Sequence, residues 1–363
     1  MRRLLLPFVI VAFASAAFPQ QVAAPSMREI NLAAIKALKI RDAIAALLFP
    51  FPAMQGVGVQ YRGDNRVREV VFRVYRDVNL VSPPIYDQLL VRGIDLFKLG
   101  LFDTPSNVVP KEIERNLYMS PQIEIDGVRY VVQDVPTQTI HAFGARFGDS
   151  TSNKAGCYEG SVGFAVVAKA NAYLKGYITC NHVAAAEGPL MCPNGQAVRE
   201  YVPGTSRNMC ESGESVGVLY RRQPIDFNLG VANSVDAAFV RADNVQPDHC
   251  GINPTDNPVQ ATPWLKVRKC GAASYLTEGH IKAIQARLKV LFLPCGLVAE
   301  FADQIEVDDS GFALSGDSGA GVVGPGDDPV GIVFAGDEVS QTFINPIQKV
   351  LDYLDVKIMP RRP

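Results

Sequence analysis

The chain holds 363 residues, with 35 Lys and Arg against 37 Asp and Glu, a formal net charge of -2. Charges of both signs are scattered rather than clustered, which gives no basic field and excludes a nucleic-acid partner. A length well beyond the roughly 250 residues at which one core stops growing points to two domains.

In chain order, "MRRLLLPFVIVAFASAAFPQ" places Arg2 and Arg3 before an apolar run, in which the small residues Ala14-Ser15-Ala16 resemble a signal-peptidase site. Residues 1–18 therefore read as a secretory signal. The run ends near Phe18 and is short for a span of about 20 residues, so the mature chain is expected outside the cytosol with no stable membrane association. Ser26, followed three residues later by Glu29, forms a capping box for a helix of about 22 residues that Pro50 and Pro52 terminate. "VGVQYR" and "VREVVFRVYRDV" flank Gly63-Asp64-Asn65 and read as a hairpin. "IEIDGVRYVVQDV" carries a second hairpin at Asp126-Gly127. Residues 26–143 thus read as a small α+β domain, containing His141 but no pairing of nucleophile and base.

Residues 144–156, "GARFGDSTSNKAG", have the polar, glycine-rich composition of a linker. From 157 onward short apolar runs such as "SVGFAVVA", "GYITCNHVAA", "SVDAAFVRA", "HIKAIQARLKVLFL" and "PVGIVFAG" alternate with turn residues, and helical periodicity returns only in "NPIQKVLDYL". This pattern predicts an all-β barrel or sandwich over 157–357, closed by a terminal helix. All seven cysteines (157, 180, 192, 210, 250, 270 and 295) fall in this part, and none forms a close CxxC pair of the kind used for zinc or redox chemistry. They read as a framework for disulfides, with at least one thiol left over.

Chemistry concentrates in three places. "SGDSGA" at 315–320 has the residues of an ordinary turn, yet "GDSG" is expected by chance in such a chain only about once in a hundred. A serine hydroxyl needs a base to act as a nucleophile, and among the four histidines His182 stands where the run "YITC" breaks into small residues. Between the two lies Asp236, in front of an apolar run, where a carboxylate can accept the second imidazole proton. The order His182, Asp236, Ser318 is that of a base, orienting acid and nucleophile, with no metal or organic cofactor required.

With these segments in hand, residues 157–355 resemble the chymotrypsin-like (trypsin-fold) serine peptidases of bacterial type. The resemblance rests on "TCNHVAA", "VDAAFV", "SGDSGAGVV", "VGIVFAG" and "VRKCGAASYLTEGHI". It implies a mainly β fold, a double β-barrel with the site in the cleft between the barrels. It implies Ser318 as nucleophile, His182 as general base, Asp236 as orienting carboxylate, and the amides of Gly316 and Ser318 as the oxyanion hole. Asp317 would shape that loop, but no Ile-Val start is evident to pair with it, so it needs another partner. Phe312, Ala335, Gly336 and Phe343 would line the substrate pocket and favour an apolar or small residue over Lys or Arg. A bridge from Cys157 to Cys180 would staple the site. Residues 26–143 resemble modules that precede some bacterial-type members, through "MQGVGVQYR", "VVFRVYRDV", "VPKEIE" and "IEIDGVRYVV". Such a unit is an inhibitory or folding pro-region, a recruiting module or a spacer. The expected partner is a protein or peptide substrate. The alternatives are a catalytically silent trypsin-fold binding protein and an esterase, whose G-x-S-x-G elbow followed by Asp and His is absent.

Overall fold

The computed structural model describes residues 25–63, 66–83, 122–125, 127–143, 150–152, 159–185, 217–243, 250–292, 296–307 and 310–359. The expected signal at 1–18, most of the linker at 144–156, the "VPKEIE" stretch, His249, and Cys157, Cys192, Cys210 and Cys295 lie outside these residues.

Helix α1 (Met27–Leu48) runs 22 residues, and the Ser26 side chain accepts its capping bond from the Glu29 amide at 3.3 Å. Its inner stripe, Ile30, Ala37, Ile40, Ile44 and Leu48, recurs at three- and four-residue spacing and is buried against the sheet beneath. The expected hairpin follows as β1 (Met54–Arg62) and β2 (Glu69–Asp77). The second appears as β3 (Gln122–Ile125) and β4 (Val128–Thr137), with β4 running parallel to β2. β5 is a two-residue piece, His141–Ala142.

Beyond it come β6 (Ser150–Ser152), β7 (Glu159–Ser161), β8 (Ala165–Ala168) and β9 (Asn171–Thr179), which leads into the short helix α2 (Asn181–Ala184). Then follow β10 (Val218–Arg222), β11 (Ala232–Asn233), β12 (Ala238–Arg241), β13 (Lys266–Gly271), β14 (Tyr275–Phe292), β15 (Leu297–Val307), β16 (Gly321–Val323), β17 (Pro329–Gly336) and β18 (Thr342–Pro346). Helix α3 (Ile347–Leu354) and β19 (Val356–Ile358) end the described chain.

The fold is mainly β, as expected, with the predicted helix near the end. Strand pairing follows the ring β13, β14, β15, β18, β17, β16 and back to β13, all antiparallel, so these strands close into a barrel that hides its own edges. A second sheet runs β10-β12-β9-β8-β19, so the chain returns to it after α3. The Cys250–Cys270 disulfide ties the loop before β13 to that strand.

The sheet does not stop at the barrel. β14 also pairs antiparallel with β1, through Gly56 with Leu288 and Val59 with Ile284, so β1, β2, β4 and β3 extend the same sheet outward. Across this junction Arg73 of β2 is buried and binds Glu306 of β15, with Nη2 to Oε1 at 2.7 Å and Nε to Oε2 at 2.9 Å. The Tyr75 hydroxyl donates to the same carboxylate at 2.6 Å.

Candidate active site

His182 sits on α2, at the point where β9 leaves the second sheet, and is nearly inaccessible. Asp236 lies just before β12, which pairs with β9, so the two segments meet because their strands are neighbours. His182 Nδ1 lies 2.5 Å from Asp236 Oδ2, and the His182 amide donates to Oδ1 at 3.1 Å. Asn345 of β18 fixes the Asp236 backbone: its Oδ1 accepts from the Asp236 amide at 2.9 Å, and its Nδ2 donates to the Asp236 carbonyl at 3.1 Å. Burial by itself disfavours the imidazolium, but the Asp236 charge, its hydrogen bond and a bond to the Phe143 carbonyl together lift the His182 pKa above its usual value of 6.5.

Ser318 stands on the loop before β16, and its Oγ donates to the Phe334 carbonyl of β17 at 3.2 Å. The loop is held from several sides. Asp317 accepts from the amides of Ala273 at 2.9 Å and Leu314 at 3.0 Å and from the Ser274 hydroxyl at 2.5 Å. Its charge is met by Lys269 Nζ at 3.1 Å, with both side chains fully buried. Burial lowers the lysine pKa, and Asp317 offsets that effect. Lys269 is therefore the partner that Asp317 needed. The Ser161 hydroxyl donates to the Gly316 carbonyl at 3.0 Å, and the Ser161 amide donates to the Ser318 carbonyl at 2.6 Å. Gly316 has φ of 103°, a left-handed conformation open to glycine, which turns the backbone here.

A segment of the chain's own N-terminal part lies across this site. β5 sits between β14 and β17, antiparallel to β17 with Ala142 opposite Ala335 and His141 opposite Gly336. The Phe143 amide donates to the Phe334 carbonyl at 3.2 Å, the same oxygen that receives the Ser318 hydroxyl. The Phe143 carbonyl faces His182 Nε2 at 3.0 Å. The Phe143 ring is fully buried, and a Cβ added to Gly336 would stand 2.3 Å from its Cζ. The same Cβ would stand 2.4 Å from the Gln341 carbonyl oxygen, so glycine at 336 makes room for both the ring and the neighbouring backbone.

Of the four residues expected to line a pocket, Ala335 and Phe343 are cross-strand partners in one apolar cluster, and Phe312 lies in the other. Ala335 and Gly336 run beside the inserted segment. Phe312 is buried in the same apolar cluster as Phe143. Phe343 belongs to the other core, edge-on to Tyr75 at 5.2 Å.

The suggested Cys157–Cys180 bridge is corrected: Cys180 is a free, buried thiol whose Sγ donates to the Val333 carbonyl at 3.1 Å. Cys180, His182 and Asp236 each bring a potential ligand atom within 4.8 Å of the others. Burial foremost, with the nearby Asp236 charge, pushes the Cys180 thiol well up, so it stays protonated, and His182 Nδ1 is already engaged by Asp236. The set fits a packed interior better than a cation.

Sequence reading missed Lys269, Asn345, Ser161 and Phe143. Lys269 was accessible from strand phase, because the buried residues of β13 alternate as Val267, Lys269 and Gly271. Asn345, Ser161 and Phe143 carry no local signal, since their roles depend on long-range packing.

No protein-family model and no curated protein sequence matches the chain. Solved structures similar to it are bacterial serine proteases. A glutamic-acid-specific serine protease is 17% identical, covering 59% of this chain and 99% of its own, with a TM-score of 0.40. Thermobifida fusca protease A is 19% identical, with 59% and 98% covered and a TM-score of 0.40. The Nocardiopsis protease is 18% identical, with 58% and 97% covered and a TM-score of 0.38. Similarity of this size leaves a functional reading to rest on the site's own geometry.

Proposed function

We propose that the chain is a secreted serine endopeptidase that hydrolyses peptide bonds through an acyl-enzyme on Ser318. The observation that carries this reading is a single one: a histidine bound to a buried carboxylate donates from its second ring nitrogen to the Phe143 carbonyl, and the Phe143 amide shares the Phe334 carbonyl with the Ser318 hydroxyl. In the reaction His182 takes the Ser318 proton as the hydroxyl attacks, Asp236 steadies the imidazolium, and the amides of Gly316 and Ser318 receive the developing oxyanion. His182 then hands its proton to the leaving amine. Water enters, His182 takes one of its protons, and the acyl group leaves as a carboxylate. None of these steps draws on a cofactor.

Cys180 does not compete as the nucleophile, because its thiol is protonated and committed to Val333. The signal at 1–18 and the disulfide at Cys250–Cys270 favour a destination outside the cytosol. Among the described residues no helix is long and apolar enough to cross a membrane. Residues 26–143 act as an inhibitory unit on the peptidase domain at 157–357, since their last strand fills the cleft.

The same filled cleft favours the rival, a silent trypsin-fold binding protein. A fluorophosphonate probe separates the two. Labelling of the wild-type chain and faster labelling of Phe143→Ala, abolished by Ser318→Ala and His182→Ala, is the expected result. No labelling of folded wild type or folded Phe143→Ala would overturn the peptidase reading and leave the binding protein.

A further inference from the structure

The segment in the cleft carries more than inhibition. It runs antiparallel to β17 in register, its last amide and the Ser318 hydroxyl share one carbonyl, and its last carbonyl meets the base. That is how the acyl side of a substrate strand lies when its final residue is the one to be cut after. The residue so placed is Phe143, whose ring is buried among apolar side chains and passes over a glycine. Burying an aromatic ring removes more apolar surface from water than a small side chain can, enough to dominate the choice among side chains at one pocket. Lys269, whose Nζ lies 5.8 Å from the Phe312 ring centroid, is already paired with Asp317.

We infer that the cleft selects peptides with a large aromatic residue on the acyl side of the cleaved bond, with Gly336 setting that choice, and that the chain's own Phe143–Gly144 bond is such a substrate. This inference rests on the peptidase reading above. In the self-cleavage step the Phe143 carbonyl carbon gains a bond to Ser318 Oγ and loses its bond to the Gly144 nitrogen, which takes the serine's proton by way of His182. One water then releases Phe143 as a carboxylate and restores the serine. The products are a chain ending at Phe143 and a chain beginning at Gly144. The carbonyl in the described state points to His182 Nε2, so a small rotation toward the Gly316 and Ser318 amides must precede attack.

The test uses the full chain. Intact mass and N-terminal sequencing compare wild type with Ser318→Ala, and acetyl-Ile-His-Ala-X p-nitroanilides with X as Phe, Ala, Lys or Glu measure preference. Expected are a wild-type fragment beginning at Gly144 that Ser318→Ala lacks, and hydrolysis of the Phe substrate at least about 100-fold faster than Lys or Glu. In Gly336→Val the ratio of Phe to Ala hydrolysis should fall at least about 10-fold. An enzyme that labels with the probe but does not favour Phe, or whose serine-dependent cut lies elsewhere, would overturn this inference and leave the peptidase reading intact. Absence of labelling would remove both.

Discussion

Two buried ion pairs, one on β13 and one on β15, do different things with the same chemistry. Lys269–Asp317 lies wholly within the barrel and, with the amides of Ala273 and Leu314, shapes the loop that carries Ser318. Arg73–Glu306 joins residues 233 positions apart and fastens the outer strands to the barrel. The first is a one-point contact from an ammonium, the second a two-point contact from a guanidinium reinforced by Tyr75. Taking two charges out of water costs about as much as their attraction returns, so neither pair is explained by stability alone. Each specifies a geometry: the serine loop in one case, the seating of the N-terminal layer in the other.

The largest effect should come from breaking the second pair. Arg73→Met leaves Glu306 buried without its cation and should cost roughly 3–5 kcal/mol in guanidinium unfolding, while Arg73→Met with Glu306→Met should recover most of it. A double variant as unstable as the single would mean the pair contributes through packing rather than charge.

Breaking the first pair should be felt in chemistry. Lys269→Met should slow fluorophosphonate labelling roughly 100-fold, as expected when an oxyanion donor is misplaced, and Lys269→Arg should restore much of the rate. Equal labelling by Lys269→Met would show that Asp317 holds the loop through its amide contacts alone. Asn345→Ala, which frees the backbone behind Asp236, should cost about 1–2 kcal/mol in unfolding free energy and lower the His182 pKa seen by NMR.

The third pair, His182–Asp236, sharpens the contrast because it titrates. The groups facing the imidazole are Asp236, the neutral Cys180 and the Phe143 carbonyl, with the Phe292 ring edge-on at 6.0 Å. Burial opposes the imidazolium, but the bond from Nε2 to the Phe143 carbonyl favours it, so that bond couples docking to the protonated form. That contribution is lost as pH rises through the raised value. Labelling of Ser318 should therefore accelerate as pH climbs above that range, by more than the ordinary ionisation of the base produces in Phe143→Ala. Parallel profiles for the two chains would show that the segment does not sense the proton.

Much of the fold was legible because its signals are local. The Ser26–Glu29 cap and Pro50 bound α1 to its observed length, and the apolar run of 280–293 marked the core of β14. The three candidate residues, His182, Asp236 and Ser318, were singled out by residue type and chain order. The expected boundary near 150 was read from cysteine distribution and composition, which carry no information about strand pairing; the bond between β1 and β14 joins residues more than two hundred positions apart. Phe143 was hidden for the same reason. Nothing in "HAFGA" announces that it will lie on β17, and only the assembled barrel creates the slot it fills.

β14 has 18 residues and, at about 3.3 Å per residue, spans some 60 Å. Its length lets one strand serve the barrel and the outer layer together. In a chain freed of β1, the stretch around Ile284–Leu288 would become a bare sheet margin, with unpaired amides and carbonyls able to recruit a strand from another molecule. Lys282, Arg287 and Lys289 are spaced along that margin, and like charges of this kind oppose such stacking. The outer strands thus double as a guard against self-association, and the lysines and arginine are the guard that stays behind.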